Sequence, residues 1–161
     1  MKRLCMPLFL LLLAGHLFAQ NLSALERRII LAGPEEMLRL VMDRSLEKEM
    51  LAIINHFEDQ DGDETLSAIG ASFPGISEEE CELLFLKLAL IAALGSGNED
   101  HIETGIDILE FLEMIELMAE IEEMNEDILT FMESSYLKDC IVFIHLFDAD
   151  LFLKERYPGF H

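Results

Sequence analysis

The chain has 161 residues, 52% of them hydrophobic, with 32 Asp and Glu against 11 Lys and Arg and a formal net charge of −21. So apolar a chain is not a solvated acidic tail. So negative a chain is not one that grips nucleic acid or anionic lipid by replacing counterions with Lys and Arg; it attracts cations and basic partners instead.

Met1-Lys2-Arg3 is a short basic start, Leu4 to Ala19 is almost wholly apolar, and Ala19 is a small residue just before Gln20. Basic, apolar, small is the order of a secretory signal peptide. An uncleaved anchor is the rival reading, but Pro7 and His16 interrupt the stretch. The expectation is therefore a leader over residues 1–19 and a secreted or periplasmic domain over residues 20–161, with no membrane contact after cleavage. Cys81 and Cys140 remain in that domain. In an oxidising compartment they either pair or persist as buried thiols, and the sequence leaves both open. No CxxC or Cys/His spacing points to zinc.

Strand alternation is almost absent and helical periodicity runs throughout, so the expected fold is all-α, a single helical domain of about five helices. The first helix is predicted over Ser23 to Leu31, ending near Gly33-Pro34. Pro34 opens a second, with Glu35 and Glu36 in its first turn, which runs to about Phe57. A polar loop is predicted over His56 to Gly75, closed by Phe73-Pro74-Gly75. Ser77 and Glu80 form a capping box for a third helix, Glu78 to Leu94, stopped by Gly95-Ser96-Gly97-Asn98. A fourth is predicted from about Gly105 or Ile106 to Met124, and a fifth from Glu126 to about Lys154 with a break near Ser134-Ser135. Cys140 to Phe147 is read as the central core helix, with His145 satisfied locally.

Residues 57–67 read Phe-Glu-Asp-Gln-Asp-Gly-Asp-Glu-Thr-Leu-Ser. Calcium wants six to eight oxygens, and a loop supplies them from alternate positions. With Asp59 at position 1, Asp61 and Asp63 fall at 3 and 5, the Thr65 carbonyl at 7 and Ser67 at 9. This stretch, with the amphipathic Leu46 to Phe57 before it, resembles the EF-hand family. Downstream, Ile106 to Met114 resembles the end of a second such loop, with Glu99 at its start and Glu110 as its last carboxylate.

The resemblance covers roughly Ser45 to Glu116 and implies a degenerate pair of EF-hands followed by C-terminal helices. It implies calcium held by Asp59, Asp61, Asp63, Thr65 and Ser67, with a structural or weak sensor role. Two residues depart from the pattern. Glu64 stands where the family has glycine, and Gly70 where it has a bidentate glutamate.

Glu110, Glu113, Glu116, Glu120 and Glu123 form an acidic stripe at three- and four-residue spacing. The apolar residues between them, Ile108 to Ile121, are expected to face the core. If part of that face is a groove, Met114, Met118, Met124 and Met132 are the candidates to receive a basic or amphipathic helical partner. No nucleophile elbow, HExxH, P-loop or dinucleotide glycine pattern occurs, and none of the five His follows a Glu by three residues. An enzyme is not expected. The alternative to calcium binding is a helical interaction module that keeps EF-hand architecture without the ion.

Overall fold

The computed structural model describes residues 21–59, 62–119 and 133–159, and every regular element among them is helical. The leader expected at residues 1–19 lies outside these residues, as do Asp61, Met124 and Met132. No helix among the described residues is long and apolar enough to cross a membrane.

Helix α1 (Ala24–Leu31) starts at a reciprocal cap, in which the Ser23 hydroxyl accepts from the Glu26 amide and the Glu26 carboxylate accepts from the Ser23 amide. Pro34 opens α2 (Pro34–Met42) as predicted, but α2 stops fifteen residues short of Phe57. Asp43 turns the chain, its Oδ1 accepting from the Ser45 amide at 2.9 Å and the Ser45 hydroxyl at 2.6 Å. One 3-10 turn, Arg44–Leu46, then leads into α3 (Glu47–Asp59). The break is needed for burial. From Val41 to Met50 is about two and a half helical turns, so a continuous helix would point these two fully buried residues in opposite directions.

The loop expected over His56–Gly75 is mostly helix. After α3 only residues 60–62 intervene before α4 (Asp63–Ser72), which buries Thr65, Ala68 and Ile69 and ends at the predicted Phe73-Pro74-Gly75 breaker. Helix α5 (Glu78–Gly95) carries the predicted Ser77–Glu80 capping box. Every residue from Leu90 to Gly95 is buried, as befits a helix apolar on all sides. It packs on α1, α2, α3 and α4, and also on two later helices, α6 (Glu99–Ala119) and α7 (Ser135–Leu146). The central helix is thus α5, not the Cys140–Phe147 segment. Helix α7 buries one face through Leu137, Cys140, Phe143 and Ile144 and leaves Val142 and Leu146 about half exposed.

Helix α6 begins at Glu99 rather than near Gly105. Asn98 caps it, Oδ1 accepting from the amides of Asp100 and His101 at 3.0 and 3.3 Å. Gly105 instead lets two helices approach, since a Cβ there would lie 2.8 Å from Leu94 Cδ2. The predicted last helix breaks at Ser134, and again at Phe147-Asp148. Asp148 Oδ1 accepts from the Leu151 amide at 2.8 Å and opens α8 (Ala149–Arg156). The rings of Phe143, Phe147, Phe152 and Tyr157 pack in succession with centroids 5.3, 5.1 and 6.0 Å apart, folding α8 back onto the body. There are eight α-helices among the described residues, against the five expected.

Candidate functional site

The aspartates singled out in the sequence fall at the α3–α4 turn. Asp59 is the exposed last residue of α3 and Asp63 the exposed first residue of α4. Gly62, between them, has φ +74°, and a Cβ there would come within 3.1 Å of the Phe85 ring, which itself packs at a tilt against Phe57 with centroids 4.9 Å apart. Glycine is required twice over, by the left-handed backbone and by the aromatic floor of the turn.

Thr65 and Ser67 lie inside α4, Thr65 buried and Ser67 exposed. A carbonyl in a helix accepts from the amide four residues on, so Thr65 does not offer its carbonyl to the turn. Glu64 and Gly70 are helical as well, Glu64 3.9 Å from His56 and Gly70 beside the Cys81 sulfur. The segment Glu99 to Glu110, read as a second loop, is the first half of α6. Among the described residues no group of three or more His, Cys, Asp or Glu could hold a metal ion.

A cavity of about 450 Å³ opens beside the turn between α1, α3 and α4. Its lining joins Leu25, Ile53 and Ala68 to Glu26, Glu49 and His56.

Two cations have gone inside. Lys87 is 1% exposed, and its Nζ donates to the carbonyls of Ile30, at 2.9 Å, and of Ala32. The reason is local. The helical partner of the Ile30 carbonyl would be the amide of residue 34, and Pro34 has none. Burial pushes the Lys87 pKa down, opposed by the neighbouring Cys140 and Asp139. Cys140 is buried, which pushes its thiol up to about 11. Cys81 and Cys140 are both unpaired thiols.

Arg156 repeats the device. Its side chain is almost wholly enclosed, donating to the Val41 carbonyl at the end of α2 and to Glu47, both at 2.7 Å. Each cation supplies a donor where a helix C-terminus lacks one and where the helix dipole favours positive charge.

The apolar residues of α6 divide in a way the sequence did not predict. Ile102, Gly105, Leu109 and Leu112 form the buried line. Phe111, Met114, Leu117 and Met118 were expected in the core and are instead 46, 49, 64 and 42% exposed. Met114 and Met118 are therefore surface residues. N-terminal to this patch, the outer face of α6 carries Glu99, Asp100, Glu103, Asp107 and Glu110. These five line a cleft of about 500 Å³ closed on its far side by Leu153 and Gly159. His145 lies at the α6–α7 contact, exposed rather than core, its Nε2 2.9 Å from a Glu116 oxygen. That bond, with Glu113 nearby, raises its pKa.

Compared with family models, with curated proteins and with solved structures, the chain finds no match in any of the three.

Proposed function

We propose that this protein is an exported acidic helical module that binds another protein through the outer face of α6. The observation that carries the reading is the patch of Phe111, Met114, Leu117 and Met118, left at the surface of a chain that buries more than enough other apolar residues for a core. Such side chains lower the free energy when a partner covers them, and methionine adapts to varied shapes. A photo-crosslinking residue placed at 114 or 118 in producing cells should give a discrete adduct that one placed at Glu79 does not. The adduct should disappear with Leu117→Lys. Equal adducts from both faces, or none from either, would refute the assignment. Export is tested separately, since the protein recovered outside the cytoplasm should begin at Gln20.

A second reading, weak calcium binding at Asp59, Asp61, Asp63, Thr65 and Ser67, is favoured by the exposed carboxylates of Asp59 and Asp63, which close α3 and open α4 only four residues apart in sequence. Using the Thr65 carbonyl and Ser67 requires the first turn of α4 to open, so calcium should lower helicity slightly as it binds. Calorimetric titration with calcium, beside an Asp59→Ala/Asp63→Ala variant, decides it. Heat lost in the variant, with a fall in helicity, supports the site; no heat at millimolar calcium sinks it.

A further inference from the structure

The α6 face can be read more closely, on the footing that the interaction-module reading holds. Glu103, Asp107, Glu110, Met114 and Met118 are spaced by four, three, four and four residues, and all five are exposed. At 3.6 residues per turn they form one line along the helix, about 22 Å long at 1.5 Å per residue. The line changes chemistry along its length. Its first half runs along the carboxylate cleft, and its second half is the apolar patch.

None of the five acidic residues of the cleft has an ion pair with a described residue. Glu99–Glu103, Glu103–Asp107 and Asp107–Glu110 are neighbours at three- or four-residue spacing, where like charges repel by a few tenths of a kcal/mol each.

We propose that this line docks a partner segment whose basic and apolar residues are segregated end to end. Its basic block lies in the Glu99–Glu110 cleft and its apolar block covers Phe111, Met114 and Met118. Three alternatives fit worse. A second copy of this chain would set carboxylates against carboxylates in a protein of charge −21. An anionic membrane is repelled for the same reason. A conventional amphipathic helix, basic on one side and apolar on the other, presents one face along the whole line, so it would bring either apolar side chains into the cleft or ammonium groups onto the methionines. Burying a charge on an apolar surface is unfavourable.

The test uses two fluorescent peptides of identical composition, about sixteen residues long. One carries a Lys block followed by a Leu/Phe block, and the other interleaves the same residues at helical spacing. Binding to the exported protein is read by anisotropy. The block peptide should bind at least tenfold more tightly. Its affinity should fall at least tenfold with Met114→Glu and again with Asp107→Lys, both on the exposed side of α6, with helicity checked by circular dichroism. Met118→Glu serves should Met114→Glu alter the fold. Salt should weaken the wild-type complex. Equal binding of both peptides, block-peptide binding indifferent to Met114→Glu, or no binding of either overturns the proposal. If the crosslinks from position 114 survive that result, only the end-to-end polarity fails; if they too are absent, the module reading falls with it.

Discussion

Replacing Lys87 with methionine isolates what the buried ammonium does, because the two side chains have similar length and no large cavity is made. The variant strands the carbonyls of Ile30 and Ala32, both on residues that are 5% exposed or less. A buried acceptor without a donor costs about 1–3 kcal/mol, so the gross loss is about 2–6 kcal/mol. Relief from burying a charge offsets part of it, and a net loss of about 2–4 kcal/mol is expected, a large share of the roughly 5–15 kcal/mol that holds a domain together. Urea denaturation reads this directly. With a slope near 2 kcal/mol per molar, the midpoint should fall by about 1–2 M while the slope stays unchanged. Because burial lowers the Lys87 pKa, the folded protein binds fewer protons than the unfolded chain between that lowered value and the ordinary 10.5. Wild-type stability from this group therefore rises with pH through that window, and the deficit of the variant should widen as pH is raised. A Lys87→Met protein as stable as wild type would refute the reasoning. It would mean that the cost of burying the ammonium equals everything its hydrogen bonds contribute.

Gly105→Ala should destabilise by about 1–2 kcal/mol, although glycine to alanine in a helix ordinarily gains about 0.5–1 kcal/mol. The added Cβ would meet Leu94 Cδ2 at 2.8 Å and the Leu94 backbone nitrogen at 3.3 Å; a raised melting temperature would contradict this. With a thiol reagent at pH 8, Cys140 should stay unlabelled until the protein is unfolded, given its burial and a pKa of about 11. Cys81, half-buried and also shifted upward, should react slowly in the native state. Fast labelling of both would place the α5–α7 contact in error. NMR titration of His145 should give a pKa above the ordinary 6.5 that moves back toward it in Glu116→Gln. The contribution of this pair to stability is then fully present below 6.5 and fades as pH rises through the raised value. An unshifted His145 would mean that the α6–α7 contact is not closed there.

Helix starts were legible where the cap is a full Ser-x-x-Glu box. Ser23–Glu26 and Ser77–Glu80 are complete signals in the sequence and complete capping boxes in the fold. Asp43, Asn98 and Asp148 carry the same chemistry without a glutamate three residues on, so in the sequence they pass equally well for helix interior or for stops. The break at Asp43 was also written in the half-turn phase slip between Val41 and Met50. The aspartate run was harder to read, because carboxylates at a helix N-terminus are favourable for the helix itself. Asp63 and Glu64 therefore suit the first turn of α4 as well as they suit a calcium loop. The outer face of α6 was legible only as one of two readings, in which Met114 and Met118 form a groove instead of joining the core. Its apolar arc is wider than one neighbour can cover, and which part is left outside depends on where α5 and α7 lie.

The buried cations and the exposed carboxylates are two sides of one distribution. Of eleven Lys and Arg, Lys87 and Arg156 are spent on helix C-termini in the interior, where the Gly33-Pro34 and Asp43 corners leave carbonyls without amide partners. The acids they would otherwise balance stay on the surface, and those of the α6 cleft make no ion pair with a described residue. The like-charge repulsion this creates falls off over about 8 Å at physiological ionic strength. That is far enough to reach across the neighbouring turns of α6, so on the proposed reading it opposes contact between two copies of the apolar patch and favours a segment that brings its own positive charge. On the proposed reading such an exterior suits a basic partner, and the two halves of α6 should answer to salt differently: any salt weakens capture of a basic block by screening, while a kosmotropic salt such as sulfate strengthens contact between apolar surfaces.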